Sequence, residues 1–329
     1  MIRGSIGERS RRAAAACATV AVLLEDGCAR LPRKARSTAA GPLTAAQIAE
    51  LWVEPVDIVT RDLFHGPGGA ALAPPAAGRF QFLSKDTRGY SWGWDVKDAN
   101  GTEWSTKYGP EAQSEVVASR LVWAIGFHQP PTYFVERWEL QGGAEPGPRP
   151  PSRFRPHLRG RRRVGEWSWR ENPFVGTQPY RGLLVMMRIL NNWDLLDRNT
   201  AIYDLDPPAE GARRWYVVID LGASLGRTKI VRVSGTRNDI EDFEQQGFID
   251  GVNGKGFVEF DDLGRFHREL FGALTPADVR WTCERLDRLD AKQWQDAFRA
   301  AGYKDDLAAR FIRKIREKVA AGLALAPAR

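Results

Sequence analysis

The run NNWDLLDRNTAIY, Asn191 to Tyr203, sets two aspartates, one arginine and three asparagines between an apolar helical stretch, YRGLLVMMRIL, and a strand-like run, WYVVIDLG. A polar run in that position is either a solvated surface loop or a loop that handles phosphate and metal. Asp194 and Asn199 lie five residues apart, and Asp220 closes the second strand that follows. Carboxylates brought close together repel unless a cation lies between them, and oxygen donors of this kind suit a hard metal ion.

The elements around this run have to position it. From Phe80, apolar and polar residues alternate through FQFLSKDTRGYSWGWDVKDANGTEWSTKYG, and Asn100-Gly101 is a strong hairpin signal. Three consecutive antiparallel strands are expected, with Lys107 on the third. A helix should follow, opened by Pro110, carrying Val117, Leu121, Ala124 and Ile125 on an apolar face and ended by Gly126. Glu115 falls on this helix, with Glu111 as its rival in the first turn. PTYFVERWEL reads as one strand. RGLLVMMRILNNW is an apolar helix, and TAIYDL and RWYVVIDLG form a hairpin. The chain is glycine-rich and irregular from Gly222 to about Phe260, and four helices should complete it, with Thr275 and Asp290 as start signals.

Composition sets the class. The chain has 329 residues, 43% hydrophobic and 27% charged, which is ordinary for a globular protein. The net charge of +7 is concentrated in RPPSRFRPHLRGRRR, Arg149 to Arg163, which holds seven arginines and no acid. That segment reads as part of an exposed insertion over 141–163, available to anionic partners. No nucleic-acid-binding motif accompanies it. Three scattered cysteines and four histidines exclude a disulfide framework and a structural zinc site. Residues 1–28 join a basic start to the apolar AAAACATVAVLL and then Gly27-Cys28. This is the pattern of an export signal with a lipid anchor at Cys28, although Glu25 and Asp26 depart from it; a cytoplasmic location is the alternative.

Lys107, Glu115, Asp194, Asn199 and the Asp220-Leu221-Gly222 run, in this order and on these elements, resemble the protein-kinase-like superfamily, and in particular its atypical bacterial and secreted members such as the spore-coat and Golgi-type kinases. The stretch N-W-D-L-L-D-R-N keeps the Asp-x4-Asn spacing of the family's H-R-D-x-x-x-x-N loop. The resemblance implies an α+β, two-lobed fold, with an antiparallel β-rich N-terminal lobe over 80–172 and a mainly helical C-terminal lobe over 173–325. Residues 29–79 are then linker and N-terminal extension, and GEWSWRENPFVGT is the hinge beside an adenine. It implies ATP with Mg²⁺ (or Mn²⁺) and phosphoryl transfer to a hydroxyl of an unknown protein or small-molecule acceptor. Lys107, paired with Glu115, would hold phosphates; Asp194 would accept the acceptor's proton; Asn199 and Asp220 would hold the metal.

The departures matter as much. Asn192 and Trp193 stand where the family has His and Arg, and Leu196 replaces the lysine usually found two residues after the catalytic aspartate. The glycine-rich loop is reduced to SKDTRGYSWG, so Lys85, Arg88 and Gly89 are the candidates for phosphate contact there. A second register, Asp197-Arg198, matches the D-R-x-x-x-N run of phosphatidylinositol-kinase-like relatives. Two other functions stay open: a pseudokinase acting as an envelope scaffold or binding module, and an unrelated lipoprotein that binds glycans through its tryptophans.

Overall fold

Thr44 caps a short helix, α1 (Ala45–Ile48), through a reciprocal pair of bonds with Gln47, as its sequence predicts. The computed structural model describes residues 42–86, 91–228, 235–261 and 266–326. The expected leader, Cys28, Arg88 and Gly89 lie outside the described residues. All the described residues belong to one unit, Pro32–Arg329. The segment before residue 79 does more than link, because Leu51, Ile58 and Leu63 are buried in the main core.

Alternation produces the meander: β1 (Arg79–Asp86), β2 (Gly93–Lys97) and β3 (Glu103–Tyr108) pair antiparallel in sequence order. At the Asn100-Gly101 turn, Asp98 accepts hydrogen bonds from the amides of Asn100 and Thr102 at 2.9 Å each and from Trp104 Nε1 at 3.0 Å. Phe80, Trp94, Val96 and Trp104 fill the inner face.

Helix α2 (Glu111–Ala124) follows and is buried along nearly its whole length. Its C-terminal end is strapped by the chain that precedes the sheet. Trp52 Nε1 donates to Ile125 O at 2.8 Å, Val53 N donates to Gly126 O at 3.0 Å, and Arg61 donates to Trp123 O. Gly126 has φ +100°, and a Cβ there would meet Val53 O at 2.2 Å, so only glycine admits the strap.

Two expectations change in the next stretch. PTYFVERWEL is two strands, β4 (Tyr133–Val135) and β5 (Trp138–Gln141). The break at Glu136-Arg137 lets β5 turn away and pair in parallel with β1. The arginine-rich segment is not an exposed insertion. It supplies β6 (Gly147–Arg149), β7 (Ser152–Pro156) and β8 (Arg161–Gly165). The large sheet has the order β4-β7-β3-β2-β1-β5-β6, with β7 an internal strand. Phe154 makes this possible: fully buried, it packs against Phe80, Trp104 and Trp138.

The chain leaves the large sheet at residues 157–160 and enters a second sheet of order β10-β9-β8, built with β9 (Thr200–Ala209) and β10 (Ala212–Val218). The segment GEWSWRENPFVGT, expected as the hinge, begins at the end of β8. Trp167, Trp169 and Phe174 of that segment are core residues, and Trp167 Nε1 donates to Val217 O at 3.0 Å. Helix α3 (Gln178–Ile189) lies between β8 and β9 along the chain. After β10 come α4 (Ile240–Gln245) and the small hairpin of β11 (Ile249–Val252) and β12 (Val258–Phe260), more structure than the glycine content suggested. The four closing helices are α5 (Arg268–Phe271), α6 (Pro276–Asp287), α7 (Ala291–Arg299) and α8 (Asp305–Leu323). Thr275 and Asp290 both form capping boxes. The fold is thus mixed α+β.

Eight of the twelve tryptophans are buried, which assigns most of them to the interior and not to a glycan platform. Among the described residues no helix is long and apolar enough to cross a membrane.

Candidate active site

Each asparagine of the opening run has a structural task. Asn191 has φ +53°, a left-handed conformation that asparagine tolerates. Its Nδ2 donates to Gly226 O at 2.7 Å, and its Oδ1 accepts from Lys318 Nζ at 2.6 Å. Asn192 Nδ2 donates to Ser224 Oγ at 3.1 Å, and its Oδ1 accepts from Asp194 N at 3.2 Å. Asn199 Nδ2 donates to Asp194 O at 2.7 Å and to Asp194 Oδ2 at 3.0 Å, closing the loop on itself.

The β9–β10 hairpin then returns the chain. Ile219 N and Asp220 N both donate to Asn199 O, at 2.9 and 3.2 Å. Asp194, Asn199 and Asp220 are therefore neighbours through direct bonds. Burial is the main cause that raises the pKa of the Asp194 carboxyl; the Asn199 bond opposes this and the nearby Asp220 charge adds to it. Burial is the largest influence on Asp220 and acts to raise its pKa, but Lys107, the Gly222 amide and Arg153 together outweigh it and hold that carboxyl below its ordinary value. The Asp197 register does not converge on this group. Asp197 Oδ1 accepts from Trp169 N at 3.2 Å, and its backbone oxygen accepts from Thr200 Oγ1.

Lys107 projects from β3 into a nest of acids. Its Nζ lies 2.8 Å from Glu111 Oε2, 3.2 Å from Asp220 Oδ2 and 3.7 Å from Glu115 Oε2. Glu111 is thus the shorter helix partner and Glu115 the longer. Burial works against the ammonium charge, yet Glu115, Asp220 and Glu111 together raise its pKa. Glu115, only 2% exposed, is shared with two arginines of β7: Arg153 Nε at 3.0 Å and Arg155 Nη2 at 2.6 Å. Arg155 Nη2 also donates to Ile219 O at 2.8 Å, tying β7 to the residue before Asp220. Glu115 Oε2 makes no hydrogen bond among the described residues.

Gly222 seats this arrangement. A Cβ built on it would lie 2.7 Å from Glu111 Cβ, so the chain after Asp220 passes against α2 only because residue 222 has no side chain. Gly222 N also donates to Asp220 Oδ1 at 3.2 Å, and Gly222 O accepts from Ser114 Oγ at 2.7 Å. Gly222→Ala is expected to lower stability by about 1–3 kcal/mol through overpacking, read as a lower denaturant midpoint with an unchanged slope.

Lys85 is placed elsewhere. It is exposed on β1, with Nζ 5.7 Å from the Trp92 ring centroid, and among the described residues no hydrogen bond or ion pair joins it to the Lys107 cluster. Three residues missed in the sequence belong to the site: Arg153, Arg155 and Arg237. Arg237 Nη1 pairs with Glu111 Oε1, and its guanidinium carbon lies 5.0 Å from the Trp193 ring centroid. The segment that carries Arg237 has no motif, and only the acid it pairs with reveals it.

Among the described residues no group of three or more His, Cys, Asp or Glu is arranged to hold a metal ion. A cation bound largely through substrate phosphates needs only one or two carboxylates, however. The Asp220 side chain remains 38% exposed, and Asn199 commits its nitrogen to Asp194, leaving its amide oxygen as the donor atom, so this pair fits that role. A cavity of about 340 Å³ opens beside the cluster, lined by Ser105, Arg155, His157, Leu158, Tyr203 and Val217 among others. Ser105 lies two residues before Lys107 on β3. A larger cavity, about 810 Å³, lies among α6, α7 and α8 and is lined by none of the clustered residues.

No family model matches the chain, and no curated protein matches it. Solved structures do: seven chains match. One of them is the crystal structure of a Helicobacter pylori proinflammatory kinase, CtkA, with 10% sequence identity and a TM-score of 0.44, covering 75% of this chain and 95% of that one.

Proposed function

We propose that the chain is a kinase-like phosphotransferase that uses ATP and Mg²⁺, or Mn²⁺, to phosphorylate a hydroxyl. The observation that carries the reading is the bridge made by Lys107: one ammonium from the third strand meets Glu111 and Glu115 on the next helix and Asp220, which in turn is tied to Asn199 and Asp194. A strand lysine, a helix glutamate, an Asp-x4-Asn loop and a metal-binding aspartate are the parts that phosphoryl transfer from ATP requires. The base would occupy the cavity bounded by Ser105, His157 and Val217, with its phosphates directed toward Lys107.

In this reading Asp194 accepts the proton of the acceptor hydroxyl. The hydroxyl oxygen forms the new bond to the γ-phosphorus, the bond from that phosphorus to the bridging oxygen breaks, and ADP leaves. Burial favours Asp194 as the base, since a carboxylate of raised basicity accepts a proton more readily. Lys107 orients the α- and β-phosphates, and Glu111 and Glu115 hold Lys107 in place. Asp220 and Asn199 would hold the magnesium ion, which supplies charge neutralisation for the phosphates.

A pseudokinase is the second reading, favoured by Leu196 and by the placement of Lys85 away from the cluster. A thermal-shift titration with ATP and Mg²⁺ or Mn²⁺ tests both. Nucleotide at about 100 times its dissociation constant should stabilise the fold by roughly 2.7 kcal/mol. No shift at millimolar nucleotide with either metal rejects nucleotide binding altogether, and a shift without any ATP turnover selects the pseudokinase.

A further inference from the structure

A phosphoryl group in flight between Asp194 and Asp220 would pass two carboxylates, and its own oxygens carry negative charge. Some cation has to face it. Leu196 offers none. Lys107 is already surrounded by Glu111, Glu115 and Asp220, and Arg153 and Arg155 are both drawn onto Glu115. Arg237 is a further cation of the cluster, paired with Glu111. One side pairs with Glu111, whose other oxygen holds Lys107; the other lies over Trp193, the residue before Asp194.

The backbone fixes that position. Trp193 Nε1 donates to Thr236 O at 3.0 Å, and Asn238 N donates to Ser224 O at 2.9 Å. Asn238 Nδ2 donates to Gln113 Oε1 on α2 at 3.2 Å. Arg237 therefore sits between a residue bonded to the Asp194 loop and a residue bonded to α2. Its side chain is 12% exposed, so a charge-assisted bond there is little weakened by solvent. A guanidinium has five N–H donors and can engage a carboxylate and a phosphoryl oxygen together.

We infer that Arg237 binds the γ-phosphoryl group of the nucleotide and supplies the positive charge that Leu196 does not. This rests on the phosphotransferase reading. The test uses the full chain, with Arg237→Gln, whose amide can still donate to Glu111, and Arg237→Ala beside it. Calorimetric titration with ATP and with ADP, each with Mg²⁺, separates a γ-phosphate contact from a structural one. The wild-type chain should prefer ATP. Arg237→Gln should lose roughly tenfold or more in ATP affinity while its ADP affinity changes less than about threefold. Adding Leu196→Lys to Arg237→Gln should restore part of the lost ATP preference.

Equal weakening of ATP and ADP would overturn the inference and make Arg237 a brace for Glu111. Tighter ATP binding by the variants would also overturn it and make the Arg237–Glu111 pair an inhibitory latch. If the wild-type chain bound neither nucleotide, the phosphotransferase reading itself would fall. Normal wild-type binding with no loss in the variants would remove the role of Arg237 alone.

Discussion

Replacing Asp220 by alanine is expected to abolish magnesium-dependent nucleotide binding, weakening it by at least about a hundredfold, some 2.7 kcal/mol. The residue does two things. Its carboxylate faces Lys107 at 3.2 Å, and its partial exposure leaves oxygen surface open to a cation. Alanine removes the metal donor and leaves Lys107 to the two glutamates of α2. Binding should fall in both Mg²⁺ and Mn²⁺, by calorimetry, while the folded state persists by circular dichroism. Retention of metal-dependent affinity within threefold would show that Asp220 is not a ligand. A pH effect accompanies it. The pKa of Asp220 is lowered in the fold, so its ionised form stabilises the native state above the unfolded carboxyl value of about 3.9. That contribution is lost as pH falls through the folded value, and Asp220→Asn should flatten the acid limb of the stability profile below about pH 4.

Asp194→Ala should behave differently. Its carboxylate is bonded to Asn199, and in the proposed function it addresses the acceptor and not the donor. Nucleotide affinity is expected to stay within about threefold, while transfer falls by roughly 10²- to 10⁴-fold, the usual range for losing a general base. Turnover in the intact protein should rise with pH as Asp194 loses its proton and level off above its pKa, which burial raises. Single-turnover release of ADP at saturating ATP measures this directly. Unchanged transfer in Asp194→Ala would mean that another group takes the proton.

The sequence disclosed elements where local pattern and local chemistry agree. The three-strand meander follows from alternation and the Asn-Gly turn, and the capping residues Thr275 and Asp290 announce α6 and α7. Asp194, Asn199 and Asp220 were legible because short spacing and a single hairpin bring them together. The arginine segment was not. Five residues, SRFRP, carry only one large apolar side chain, and proline and arginine argue for a loop. They form an internal strand because Phe154 finds an aromatic core and because Arg153 and Arg155 find Glu115, a partner forty residues away along the chain from Arg155. Composition prices a buried arginine as forbidden, and only the fold reveals the acid that makes it acceptable. The choice between Glu111 and Glu115 was similarly closed to sequence, since residues four apart share a helix face and both reach Lys107.

The strap from Trp52 to Arg61 gives the cleft a handle outside it. It holds the C-terminal end of α2, and Gln293 on α7 grips the strap in turn, donating to Ile58 O at 2.8 Å and Arg61 O at 3.0 Å. The other end of α2 carries Glu111 and Glu115. Tension or release applied to residues 42–62 would therefore be transmitted along a rigid rod to the two carboxylates that aim Lys107. A fragment beginning at Phe80 would keep every clustered charge and still lose the anchorage of the rod.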